Sequence, residues 1–234
     1  MKKLSRGFGL IEIMVALVLG LVISMGVIQI FIASRGTYVT QNTSARMQED
    51  ARFVLSKMMQ EIRMSGMFGC LSVDNLTVAN NSMPVKPAVF NTPILWNNAN
   101  NTLTLITADI GGSGGSPSWT VVSNCQTTTE LYAGGRSPAA GQVAFPLRQL
   151  IYVLNGTVLS VGPDANNMQP LLNNVGAMVI NFGIAGTPMI YTPVINAGNA
   201  ANIRSVHIQL TLTDPNGRVR DQVYSVAAAV RNRF

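Results

Sequence analysis

Few residues in this chain combine the type and the spacing that chemistry needs. Glu12 stands out as the only charge between Phe8 and Ile32, a run that is otherwise almost continuously apolar. A carboxylate inside a membrane helix costs on the order of 3 kcal/mol, so it calls for a partner. Just before it, MKKLSRG at residues 1–7 is short, basic and ends in Gly7. Cutting after Gly7 would leave Phe8 first, Glu12 fifth, and a new α-amino group as a candidate partner, from the same chain or a neighbouring copy. The alternative is a Glu12 that sits shallow near the membrane interface and does nothing.

The other reactive side chains are sparse. Cys70 and Cys125 are too few and too far apart for a zinc ribbon or a CxxC redox site. His207 is the one histidine, so a His-based triad or metal cluster would rest on it alone. It lies opposite an apolar strand face, beside Gln209 and Thr211, and reads as a solvent-facing strand histidine. Asp164 with Asn166, and Asp214 with Asn216, look like pieces of a calcium loop but lack the further spaced carboxylates. Ordinary turn residues are the better reading. No nucleophile, base and orienting group are visible together, so no catalytic residue, metal or cofactor is expected.

Composition sets the frame. A chain of 234 residues suits one domain, or one domain with an appendage. Charged residues make up 11%, far below the roughly 25% of a typical soluble protein. That excludes a disordered polyampholyte and a compact acidic cytosolic enzyme. The formal charge is +6, but Lys2, Lys3 and Arg6 precede Gly7 and leave 13 basic against 10 acidic groups, or +3. With no basic cluster near aromatics, a nucleic-acid partner is not expected.

The 25 positions from Phe8 to Ile32 would span about 37 Å as a helix, enough for a hydrocarbon core of about 30 Å. Three basic residues before the span, and none until Arg35, place residues 1–7 in the cytoplasm and the remainder outside. A secretory signal would carry its small-residue cleavage site after the apolar stretch. Here the Gly junction comes before it, so the cut would leave the membrane helix on the mature protein.

The helix need not stop at the membrane. From Arg35 to Ser65 there is no proline, and Met47, Ala51, Val54, Met58 and Ile62 repeat on one face. Gly66 and Gly69 then supply a stop, so one helix from Phe8 to Met64 is expected, with Gly20, Gly26 and Gly36 as weak points. Beyond Gly69 the period changes to that of strands: Leu103 to Ile106, Trp119 to Val122, Val175 to Phe182 and Ser205 to Thr213. Ile151 to Leu154, Asn155-Gly156 and Thr157 to Val161 read as a hairpin; Asp214 to Gly217 is a turn before a strand from Val219 to Val230. Residues 111–117, GGSGGSP, lack the Lys and Ser/Thr of a phosphate-binding loop and read as a flexible connection. Helix first and antiparallel strands after is an α+β order.

The segment GFGLIEIMVAL, Gly7 to Leu17, closely resembles the type IV prepilin signature. The resemblance implies cleavage between Gly7 and Phe8 by a prepilin peptidase, N-methylation of Phe8, and packing of the helix into a filament core. It implies that Glu12 pairs with the amino group of an adjacent subunit. The implied fold is α+β and type IV pilin-like: a long N-terminal helix, half membrane-spanning and half amphipathic, packed on an antiparallel β-sheet head. The corresponding divisions are a cleaved leader at 1–7, a transmembrane or filament-core helix at 8–34, its amphipathic continuation at 35–66, and a periplasmic β-rich head at 67–234. Where many major pilins carry a proline, this chain has Gln29.

DARFVLSKMMQEIRMSGMFGC (Asp50 to Cys70) is similar to a segment of the PilW family of minor pilins, as are PLRQLIYVLNGTVLSV (Pro146 to Val161), LLNNVGAMVINFGI (Leu171 to Ile184) and the closing VRNR (Val230 to Arg233). The match is weakest between Leu71 and Gln142, and Ser160-Val161-Gly162 stands where that family usually has a basic residue. The resemblance implies a low-abundance subunit of a Gram-negative type IV pilus that joins other minor pilins and the major pilin. Such a subunit primes filament growth and sits at the tip beneath an adhesin. It waits in the inner membrane with its head in the periplasm, and an inner-membrane platform assembles it. A J-type pseudopilin of a type II secretion system shares the same leader, helix and sheet order and is the alternative.

By the charge rule both cysteines lie outside the cytoplasm, where thiols oxidise. A bond between Cys70 and Cys125 would close 54 intervening residues and contribute about 4 kcal/mol. Two free buried thiols are the rival arrangement.

Overall fold

The computed structural model describes residues 9–79, 82–109, 116–195 and 199–230. Gly7, Phe8, most of the Gly-Ser run, Arg231 and Arg233 lie outside the described residues. The chain divides into two units, one reaching Arg46 and the other starting at Met47. One α-helix, α1 (Leu10–Met64, 55 residues), contributes to both.

In the first unit α1 begins where the Gly9 carbonyl accepts the amides of Glu12 (3.0 Å) and Ile13 (3.3 Å). It continues through Gly20, Gly26 and Gly36 without a break. From Leu10 to Tyr38 every side chain is exposed, and up to Ile32 the run is apolar apart from Glu12, Ser24 and Gln29. Ser24 and Thr37 donate their hydroxyls to the carbonyls four residues back, Gly20 at 2.8 Å and Ala33 at 3.1 Å. Neither hydroxyl therefore needs water, which suits an apolar solvent.

In the second unit the pattern of α1 becomes one-sided. Met47, Ala51, Val54, Leu55, Met58 and Ile62 are buried, because steps of three and four keep them on the face turned to the core. The helix stops at Met64. Ser65 Oγ donates to the carbonyls of Pro93 (3.0 Å) and Ile106 (3.1 Å), and the Gly66 amide donates to Ile106. Gly69 follows at φ +136°, with a virtual Cβ only 3.2 Å from the Phe145 ring. A side chain there would be strained by the backbone and crowded by the ring, so Gly69 fixes the path toward Cys70.

The strands make two sheets. The first joins β1 (Thr77–Val78), β2 (Ile94–Asn97), β3 (Thr102–Ala108), β4 (Trp119–Ser123), β5 (Thr129–Ala133), β6 (Val143–Asn155), β7 (Val158–Gly162) and β8 (Gln169–Leu172), in the order β1-β5-β4-β6-β3-β2 with β7 and β8 branching from β6. β6, 13 residues long, is its spine. One edge of β6 pairs with β3; the other pairs with β4 through Val143–Leu147 and then with β7 through Ile151–Asn155. Every pairing is antiparallel except that of β1 with β5. The second sheet is the antiparallel set β10-β9-β11-β12, formed by β9 (Val175–Ile184), β10 (Ile190–Thr192), β11 (Ile203–Leu212) and β12 (Gln222–Ala229).

Two apolar clusters hold this unit together. In the larger, the buried face of α1 meets residues of both sheets, among them Leu103, Tyr152, Phe182, Ile208 and Leu210. The smaller gathers Phe68, Leu76, Phe90, Ile106, Val121, Leu131 and Leu147. Phe90 packs edge-on against Phe68 and Trp119, with ring centroids 5.0 and 5.3 Å away. Each such side chain removed from water contributes about 1.5–3 kcal/mol.

The hairpin turn is centred on Gly156-Thr157, not Asn155-Gly156, because Asn155 pairs directly with Val158. Gly156 has φ +58° and comes first of the two, the position glycine takes in a type II′ turn. The strand expected from Val219 begins only at Gln222, since residues 213–221 form a wide loop around Asp214.

Candidate functional site

Glu12 lies in the first turn of α1, where the unpaired amides favour a negative group. Its side chain is exposed and meets no basic group among the described residues. The helix that carries it is long and apolar enough to cross a membrane, and its most apolar stretch is exposed among the described residues. A lone carboxylate on such a helix must find its counter-charge elsewhere once lipid surrounds it. Gly7 and Phe8, the sequence-assigned cleavage and methylation residues, fall outside the described residues.

The second site is the disulfide. Cys70 and Cys125 are joined, with Cα atoms 5.4 Å apart. The local sequence explains the placement. Asn124 Oδ1 accepts the amides of Gln126, Thr127 and Thr128 at 2.9–3.0 Å, closing a tight turn in which Cys125 adopts φ +56°. Ser123 Oγ accepts the Cys125 amide at 3.0 Å and donates to the Thr128 carbonyl at 2.7 Å. The bond thus ties the segment after α1 to the β4–β5 turn, beside the smaller apolar cluster.

The remaining sequence candidates serve as structure. Asp164 accepts hydrogen bonds from the Asn167 side chain and from the Asn166 and Asn167 amides, and these, the Asn167 side chain first, hold its carboxyl below its ordinary value. His207 is half-buried on the outer face of the second sheet, between Asn181 and Ala227. Asp214 is buried and receives Arg218 through two side-chain contacts at 3.0 Å, with the Asn216 and Arg218 amides added. Chiefly the Arg218 hydrogen bond holds the Asp214 carboxyl well below the usual range, against the opposing effect of burial. A depressed native value means the stabilisation is full above the unfolded carboxylate range of about 3.9 and lost as pH falls further. Asp214→Asn is therefore expected to melt earlier at pH 7 and to show a flatter fall in Tm from pH 5 to 2, read by circular dichroism. An unchanged acid profile would contradict this role.

Sequence reasoning missed a buried polar cluster. Glu61, on the inward face of α1, meets Arg148 of β6 at 2.9 Å and the more exposed Lys57 at 3.6 Å. Beside them Tyr152 is fully buried, and burial first, then the Glu61 charge, raise its phenol well above the ordinary value. The signal was present: Glu61 stands three residues after Met58 and seven after Val54, on the apolar stripe. Because burying a pair costs much of what its attraction returns, Glu61→Met with Arg148→Met is expected to fold at no loss of Tm. A drop of many degrees in the double variant would show that the pair adds net stability.

Against this geometry, residues 2–28 match the family described as the prokaryotic N-terminal methylation motif. No curated protein matches the chain. The motif, the apolar N-terminal helix and the antiparallel β-sheet head define a type IV pilin-like protein. The motif supports a type IV pilin or pseudopilin in general, a class assembled by membrane-associated machinery, and the apolar helix suggests a membrane anchor.

Proposed function

We propose that this chain is a minor pilin of the PilW type, one of the low-abundance subunits that prime a type IV pilus and cap its tip. The observation that carries the reading is the methylation motif at residues 2–28, which runs into an exposed apolar stretch of α1 whose single charge, Glu12, meets no basic group among the described residues. Prepilin peptidase removes residues 1–7, Phe8 is methylated, and the subunit waits in the inner membrane of a Gram-negative cell with its head in the periplasm. The helix then leaves lipid for the filament core, where the α-amino group of a neighbouring subunit neutralises Glu12. Other minor pilins, the major pilin, the inner-membrane platform and a tip adhesin are its partners.

The test is a deletion strain scored for surface pili and for protein secretion. A minor pilin predicts a sharp fall in pili, restored by the intact chain, and the chain present in sheared filaments far below the major subunit. Normal pili with a secretion defect would assign the chain to a type II pseudopilus instead.

A further inference from the structure

Thiol–disulfide exchange depends on which sulfur an attacking thiolate reaches and on what receives the sulfur that leaves. Cys70 and Cys125 are both exposed, so their bond lies at the surface of the head. The two ends of that bond differ. Cys125 begins a run of four exposed residues, Cys125 to Thr128, in the β4–β5 turn. Asn124 Oδ1 holds the turn through three amides, and Ser123 Oγ accepts the Cys125 amide, which fixes Cys125 in its outward position.

Cys70 instead lies between Gly69 and Leu71, both half-buried, and its Sγ is 3.5 Å from Ser123 Oγ. Ser123 itself is fully buried. A thiolate from solvent therefore meets Cys125 first. The sulfur that departs is then that of Cys70, and a hydroxyl stands beside it to donate a hydrogen bond to the new thiolate. The Ser123 hydroxyl gives up the Thr128 carbonyl to do so, a rotation about one bond. Attack on Cys70 would lack both advantages.

We propose that Cys125 is the exchanging sulfur of a surface thiol–disulfide site, where an external disulfide oxidises the folded head and an external thiol reopens it. In oxidation the Cys125 thiolate attacks one sulfur of the external disulfide, forming a mixed disulfide and releasing the carrier's other sulfur as a thiolate. The Cys70 thiolate then attacks Cys125 Sγ, closes the protein bond and expels the rest of the carrier as a second thiolate. The two cysteines lose two electrons and two protons, and the two carrier sulfurs gain them. Reopening runs in reverse: the external thiolate bonds to Cys125 Sγ, and Cys70 leaves beside Ser123. Both directions pass through the same mixed disulfide, so an adduct trapped in one reports the other. Exchange at Cys125 does not depend on the pilus role, so its failure would leave the proposed function standing.

The experiment treats the full chain in detergent, without denaturant, with excess reduced glutathione, quenches in acid and maps the products by mass spectrometry. The glutathione adduct is expected on Cys125 in about tenfold or greater excess over Cys70. The rate of opening should rise in proportion to glutathione without a ceiling, because the folded head itself reacts. A thioredoxin whose second active-site cysteine is replaced by serine supplies a protein-borne thiol. Its adduct is expected on Cys125 too, and the faster probe identifies the kind of thiol the site takes. Ser123→Ala should slow opening severalfold, and Ser123→Thr, which keeps the hydroxyl, should restore it. An adduct chiefly on Cys70, an equal split, or a rate that levels off at the rate of unfolding would overturn the proposal. Full-rate opening in Ser123→Ala would overturn it as well.

Discussion

Glu12→Leu is expected to leave the chain folded and membrane-bound while cutting its recovery in sheared filaments about tenfold or more. In lipid the carboxylate costs on the order of 3 kcal/mol, so leucine makes membrane residence more favourable, not less. Leucine is also a strong helix former, so α1 should begin as it does now. On the proposed assembly the variant would lose the attraction between Glu12 and a neighbouring α-amino group, which at low dielectric exceeds the roughly 1.4 kcal/mol that a tenfold change requires. Quantitative immunoblots of membranes and filaments read both pools. Glu12→Asp, which keeps the charge but shortens its reach, should fall between. Equal incorporation of Glu12→Leu would show that Glu12 is merely a shallow interfacial carboxylate.

The second large effect belongs to the disulfide. Cys70→Ser with Cys125→Ser frees a loop with a separation of 55 residues, and chain entropy puts the loss at about 4 kcal/mol. For a domain of this size each kcal/mol moves Tm by about 2–4 °C, so a fall of roughly 8–16 °C is expected. The loss should be centred on the smaller cluster around Phe90, because the bond anchors Phe68 and the chain after α1 to the β4–β5 turn. Thermal melts of the full chain in detergent, with and without reductant, measure it. A shift of only a degree or two would mean that Asn124 and Ser123 hold the turn without the bond.

Much of this architecture could be read from residue spacing. The run Met47, Ala51, Val54, Met58, Ile62 marked the buried face of α1 because a helix repeats every three or four residues. Val206, Ile208, Leu210 and Leu212 marked the inner face of β11 by simple alternation, and all four are buried. β6 was only half legible. Pro146, Arg148 and Gln149 interrupt its apolar pattern, yet the strand continues through them by pairing with β4 and β3. The division into two sheets was hidden for a different reason: pairing depends on contacts far apart in sequence, such as β3 with β6. Glu61 was passed over because a charge on a helix usually faces water; its partner Arg148 lies 87 residues away.

The site was legible to a different degree. Glu12 and the basic leader announce themselves by breaking the rule of their surroundings, one as a charge in an apolar run and the other by preceding it. The unpaired edge of β12 could not be seen that way. An uncharged alternating strand looks the same whether one or two neighbours flank it, and only the order of strands in the sheet distinguishes them.

N-terminal mass spectrometry of protein purified from membranes and sheared filaments reads whether this chain is processed as a prepilin. The expected chain has lost residues 1–7 and begins at N-methylated Phe8. A chain that keeps Met1, or one cut beyond Ile32, would contradict it.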